Sequence, residues 1–241
     1  MHSPAISRCI RHMNTSLATT LVVALTASTI SSSIAFAAAT ANFAQTITAG
    51  TLSVDIVDNN YTSITNPSVS LTAKTFSFQC QKDADASAGT FGTSTQQIYV
   101  KNPDAADNGW SVSLAATSPT ALWHSASGKG DYDFNDATGS GCDDGSSDAD
   151  IYAGKLTVDA SVGTLNVGSC SHCTTTDISK GASASFAEGT ADSVTILTGA
   201  AGSDDIGDWK LTGVTLAQSI PSEQAAAADY SIDMTLSVIG S

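Results

Sequence analysis

Along most of this chain, apolar side chains recur at every second position and not at every third or fourth. In Tyr230-Ser-Ile-Asp-Met-Thr-Leu-Ser-Val238, residues Tyr230, Ile232, Met234, Leu236 and Val238 fall on one face, and Ser231, Asp233, Thr235 and Ser237 on the other. Trp110-Ser-Val-Ser-Leu114 repeats the pattern. Period two marks a half-buried antiparallel strand, because successive side chains of an extended chain point to opposite faces. Runs rich in Val, Ile, Thr, Leu and aromatics, parted by Gly, Asn, Asp and Pro clusters, place strands along the chain. They are Thr51–Asp58, Val69–Cys80, Gln96–Lys101, Trp110–Thr117, Lys155–Asp159, Thr164–Val167, Ser193–Thr198, Trp209–Leu216 and Tyr230–Ile239. No apolar 3.6-residue period lasts three turns, and Gln224–Ala228 offers one helical turn at most. The predicted fold is all-β, an antiparallel two-sheet β-sandwich of jelly-roll or Ig-like type. One stretch, Ser125–Asp150, has little strand character and reads as a long Asp-rich loop. A loop of that length inside a compact domain is usually functional or disordered.

The N-terminus breaks the pattern. Arg8, Arg11 and His12 precede an apolar run from Leu17 to Leu25, and small residues lead to Ala35-Phe36-Ala37. That order is an export signal, with a positive end, an apolar centre and an A-x-A cleavage site. Met13 is an alternative start to the same signal. A retained membrane anchor is the competing reading, but the run falls short of the ~20 apolar residues that span a bilayer. Residues 1–37 are therefore expected to be removed, leaving 38–241 as a single secreted domain with no transmembrane segment.

Both arginines leave with the signal, so seven lysines face 23 acids, a net charge of −16. Without Arg or a Lys cluster the chain cannot grip phosphates, which argues against nucleic-acid binding. All acids but Glu188 and Glu223 are Asp, a residue suited to turns and to oxygen-ligand loops. Asp131-Tyr-Asp133-Phe-Asn135-Asp136 sets oxygen donors at alternate positions, as a loop that wraps a hard cation does. Asp143, Asp144, Asp148 and Asp150 add four carboxylates. These eight residues are the candidate Ca²⁺ ligands. Asp136 stands where an EF-hand has its glycine and Cys142 where it has its bidentate Glu, so a solvated acidic loop is the other reading.

Four cysteines remain after the signal, namely Cys80, Cys142, Cys170 and Cys173, an even count that in an exported chain implies two disulfides. Three connectivities are open. The favoured one closes Cys170-Ser-His172-Cys173 into a small loop and clasps Cys80 to Cys142. A redox motif would want a helix N-terminus under the thiols, and a zinc knuckle a second ligand pair. The sequence around Cys170 supplies neither.

No G-x-S-x-G elbow, Walker loop, H-E-x-x-H or dinucleotide fingerprint occurs, and only His124 and His172 follow the signal, so a non-enzymatic protein is expected. Trp110, Trp123 and Trp209 are candidate platforms for stacking on glycan. Trp110 and Trp209 lie in alternating strands, where a core position is the alternative.

Two resemblances refine the expectation. Ile98-Tyr-Val-Lys-Asn-Pro followed by Gly109-Trp110-Ser-Val-Ser-Leu114, a later Trp209-Lys-Leu211 and the closing strand from Asp229-Tyr230 resemble the WxL-type cell-surface domains. That resemblance implies non-covalent attachment to the bacterial cell wall. Ala41-Asn-Phe43-Ala-Gln-Thr-Ile47-Thr-Ala-Gly50-Thr51-Leu52-Ser-Val54 is similar to the opening of camelysin/TasA-type proteins, some of which form extracellular filaments by strand exchange. Taken together, the sequence predicts a secreted surface or extracellular protein, structural or adhesive, stiffened by disulfides and by Ca²⁺. Its partners would be cell-wall glycan or other surface proteins. Two alternatives stand beside that reading, a filament subunit donating residues 41–54 and a glycan-binding module.

Overall fold

The computed structural model describes residues 43–104, 108–137, 139–144, 150–202 and 206–241. The expected export signal, Ala41-Asn42 and Asp148 fall outside them. The chain divides after Thr46. Phe43–Thr46, the described part of the first unit, has no regular structure, and Ile47–Ser241 forms the second.

No α-helix occurs among the described residues, which carry only a short 3-10 turn at Asp83–Asp85. The strands are β1 (Ser53–Val57), β2 (Ser87–Phe91), β3 (Gln97–Asn102), β4 (Trp110–Ala116), β5 (His124–Ser125), β6 (Lys155–Asp159) and β7 (Thr164–Val167), continuing with β8 (Ile178–Lys180), β9 (Ser183–Ser185), β10 (Ser193–Gly199), β11 (Gly207–Thr212), β12 (Val214–Ser219), β13 (Tyr230–Ser231) and β14 (Met234–Gly240). They build three antiparallel sheets, ordered β1-β3-β11-β7, β14-β4-β10-β8 and β2-β12-β6-β9, and a ribbon of β13 and β5. The fold is all-β and sandwich-like, as the alternation requires.

Burial follows sequence parity. In β4 Trp110, Val112 and Leu114 are buried while Ser111 and Ser113 are half-exposed, and β6 buries Leu156 and Val158 between three half-exposed residues. One hydrophobic core draws on all three sheets. Ile98, Val100 and Leu211 enter from the first, Val112 and Ile196 from the second, and Val158 and Val214 from the third. Burying a Val or Leu side chain is worth roughly 1.5–3 kcal/mol each, so this shared interior carries the fold.

Three expected strands differ from the prediction. Trp209–Leu216 is two strands, β11 and β12, in different sheets. Gly213 alone separates them, at φ +76°, a left-handed turn that favours glycine, and its N–H donates to the Gly92 carbonyl (2.6 Å). Tyr230–Ile239 also splits, because Ser231 ends the ribbon before β14 begins at Met234. Val69–Cys80 is an extended strap and not a sheet strand. It meets β2 only around Leu71 and Thr72, where Thr72 N–H donates to the Ala88 carbonyl (2.7 Å). With no second sheet to cover it, its alternating aromatics face outward, Phe76 and Phe78 packing edge to face at 5.1 Å. Gln224–Ala228 forms no helical turn.

Both disulfides take the favoured connectivity. Cys80 joins Cys142 (Cα–Cα 5.4 Å) and Cys170 joins Cys173 (5.6 Å). The first clasps the end of the strap to the acidic segment. No helix among the described residues is long and apolar enough to cross a membrane.

Candidate functional site

The acidic segment is not one loop. Its first half threads the interior. Tyr132 exchanges backbone hydrogen bonds with Trp123 (2.8 and 3.2 Å), Asp133 N–H donates to the Ala153 carbonyl (2.9 Å), and Asp136 N–H to the Gly154 carbonyl (3.0 Å). Leu156 N–H returns a bond to the Phe134 carbonyl (2.6 Å). Phe134 is fully buried against Phe186, ring centroids 5.1 Å apart. The chain passes so close to Gly154 that a β-carbon there would lie 1.8 Å from the Asp133 carbonyl oxygen.

Much of the polar surface carried inward finds a partner, as burial demands, although Asp136 Oδ2 itself accepts no hydrogen bond among the described residues. Asn135 Nδ2 donates to the Pro119 carbonyl (2.7 Å), and Asp133 Oδ1 accepts from Phe134 N–H (2.7 Å). Gln218, itself fully buried, accepts from the Trp123 indole (2.9 Å) and donates to the Asp133 carbonyl (3.0 Å).

Of the eight expected Ca²⁺ ligands, then, Asp133, Asn135 and Asp136 are core residues. Asp131 is half-buried and accepts from His124 Nδ1 (2.9 Å), so His124 is tied to the segment's start. Asp143 is exposed, Asp144 and Asp150 are half-exposed, and Asp148 lies outside the described residues. Among the described residues these carboxylates do not gather into a group of three; the one such group is Cys170, Cys173 and Asp208. Its sulfurs are joined to each other, which removes them as ligands while the bridge stands.

Asp208 was not singled out by any motif, although a lone Asp between Gly207 and Trp209 is the visible sign of it. It is 4% exposed, on the outward parity of β11 but roofed by the Cys170 loop. Its carboxylate accepts from Ser169 N–H (2.7 Å), Ser169 Oγ (2.7 Å), Cys170 N–H (2.8 Å) and the Tyr99 hydroxyl. Burial alone would raise its pKa, but the bonds from Ser169, Tyr99 and Cys170 outweigh it and hold the carboxyl below its ordinary value. The Tyr99 phenol moves the other way, pushed up to about 12 by burial and then by its bond to Asp208.

The expected stacking platforms part company. Trp110 and Trp209 are 1% and 0% exposed and face each other in the core at 5.4 Å, so neither offers a ring to a ligand. The alternation of their strands sends both inward. Trp123 is half-exposed and stacks on Tyr132 at 5.9 Å.

A concavity that Trp123 helps to line lies between the edges of two sheets. Val54 and Ile56 of β1, Met234 and Leu236 of β14, and Leu71 and Phe91 line an apolar groove of about 600 Å³. Among the described residues β14 pairs with β4 alone, and the outer side of β1 is met near its end, by Ser63 and Ile64. Such a groove has walls of mixed, mainly apolar character and, among the described residues, open strand edges at its rims. Chemically it suits an extended chain, which would satisfy the rims with backbone hydrogen bonds and fill the floor with alternate side chains.

No protein-family model, no curated protein and no solved structure matches this chain.

Proposed function

We propose that this chain is an exported, non-enzymatic structural protein of the bacterial cell surface, a disulfide-stapled β-domain. The observation that carries the proposal is the pairing of all four cysteines that follow the signal-like N-terminus. Disulfides of this kind persist in oxidising, extracytoplasmic compartments. Its partners are cell-wall glycan or other surface proteins. Calcium enters the proposal only through the outward half of the acidic segment, Asp143, Asp144 and Asp150, since Asp133, Asn135 and Asp136 are spent in the core. Expression of the full chain in a bacterial host tests the reading. The expected product lies outside the cytoplasm, begins after Ala37 and carries both bridges under non-reducing peptide mapping. A cytoplasmic product with Met1 retained and free thiols would end it.

The groove favours a second, narrower reading, a filament subunit that accepts an extended segment from a neighbouring copy. Ser53–Val57 pairs with β3 of its own chain, so the donated part of residues 41–54 would be the portion before β1. Electron microscopy of the mature protein at high concentration is expected to show filaments, and Leu236→Lys, which places a charge on the groove floor, is expected to abolish them. Monodisperse particles under all conditions would leave only the broader reading.

A further inference from the structure

The outward face of the first sheet carries a tyrosine pair that neither reading uses. After β1 the chain turns back at Asp58–Thr62, where Asp58 Oδ1 accepts from Asn60 N–H (2.8 Å) and Thr62 N–H (2.9 Å). Within this turn Tyr61 sits at φ 62°, a left-handed conformation that a bulky L-residue rarely adopts. The turn delivers the Tyr61 ring over β3, with its centroid 5.3 Å from that of Tyr99 and the planes 43° apart. Lys210 Nζ lies 5.4 Å over the Tyr61 ring and donates to its hydroxyl (3.4 Å). Both tyrosines are half-buried, so solutes reach them while their neighbours hold them together.

Tyr99 also has what an oxidisable phenol needs. Loss of one electron turns a phenol into a very strong acid, and its proton must leave to a base already in place. The Tyr99 hydroxyl donates to the Asp208 carboxylate, which bonds to Ser169 and Cys170 keep ionised.

We propose that Tyr61 and Tyr99 form an intramolecular oxidative cross-linking site, with a peroxidase-type one-electron oxidant drawing on hydrogen peroxide as co-reactant. Each phenol loses one electron and its hydroxyl proton. The two radicals join through ring carbons ortho to oxygen, one C–C bond forms, and each of those carbons then loses its hydrogen as the proton that restores a phenol. Two tyrosines and one peroxide thus give one dityrosine and two waters. The product bonds the turn after β1 to β3 and fixes one wall of the groove. Where this happens in the cell rests on the export reading; the chemistry does not.

A second pair supplies an internal control. Tyr132 and Tyr230 lie as close, 5.1 Å, but nearly perpendicular at 79°; Tyr132 is 5% exposed, and the Tyr230 hydroxyl donates to the Ala225 carbonyl and not to a carboxylate.

The test treats the mature chain with a haem peroxidase and peroxide, then isolates monomer for dityrosine fluorescence and peptide mass mapping. The expected result is a monomer lighter by two hydrogens, with the Tyr61 and Tyr99 peptides joined, formed ahead of any Tyr132–Tyr230 link. Tyr61→Phe and Tyr99→Phe, which keep the ring packing, are each expected to lose that link completely. Absence of dityrosine, a link only between molecules or only at other tyrosines, or a link that survives Tyr61→Phe would overturn the proposal. A processed, exported chain that does not cross-link refutes this inference alone; a cytoplasmic chain that does refutes the export reading alone.

Discussion

Within one acidic segment, Tyr132–Asp136 is buried along its whole length, while Asp143, shortly after it, is exposed and Asp144 half-exposed. Both stretches are dense in carboxylates. The difference lies in what alternates with them. Tyr132 and Phe134 bring apolar surface that the core absorbs, and Asp133 and Asn135 meet donors or acceptors waiting on Pro119, Gln218 and the backbone. The Cys142-Asp-Asp stretch has no such ring, and a disulfide holds it instead. Carboxylate density therefore says little about exposure. Burial is set by whether apolar neighbours offset the desolvation and hydrogen bonds complete it.

The largest effect expected from this contrast is at Phe134. Phe134→Ala leaves a cavity against Phe186 and is expected to cost about 3–5 kcal/mol, read from urea unfolding of residues 38–241. A loss under about 1 kcal/mol would mean that the segment is not core. Next comes the clasp. Replacing Cys80 and Cys142 by Ala together is expected to cost about 4 kcal/mol on the chain-entropy argument for the loop it closes between residues 62 apart in sequence. The same urea unfolding reads it.

The contrast between buried and exposed acids extends to pH. Asp208 has its folded pKa below the ordinary value, so the unfolded chain binds more protons in acid. The stability it contributes is whole above about pH 4 and drains away as pH falls through the lower folded value. Asp208→Asn is expected to flatten that acid limb of the stability profile. Smallest of all, Asp143→Asn is expected to change stability by less than about 0.5 kcal/mol in the absence of Ca²⁺, as substitutions at exposed positions do. A larger loss would show that the outward half carries structure of its own.

Much of the fold was legible in the chain because alternation is a local signal. β6 and β7 fall on the expected Lys155–Asp159 and Thr164–Val167, and β4 and β10 within a residue of theirs. β2, β5, β8 and β9 were not foreseen. They are short and mostly rich in Ser, Ala and Gly, and their pairing comes from neighbours and not from β-branched side chains. The strap at Val69–Cys80 carries the right alternation but no sheet to use it on, and the break at Gly213 rests on one backbone angle within an apolar run.

The sites were less legible, since they depend on partners far apart in sequence. Phe134 meets Phe186, Gln218 meets Asp133, and Tyr99 meets both Tyr61 and Asp208. Nothing in Asp131–Asp136 taken alone distinguishes a ligand loop from a core strut. The cysteine pairing was favoured correctly. The Trp pair fell to the core, the alternative that its strands had left open.

Amide hydrogen exchange on the mature, oxidised protein tests the central claim most directly, that Tyr132–Asp136 is a strut through the core. The amides of Asp133 and Asp136, which donate from that strut to Ala153 and Gly154, and of Leu156 and Glu188, which donate onto it, are expected to exchange only through global unfolding, as slowly as those of β4. Exchange of Asp133 and Asp136 as fast as that of the exposed Asp143 would contradict it.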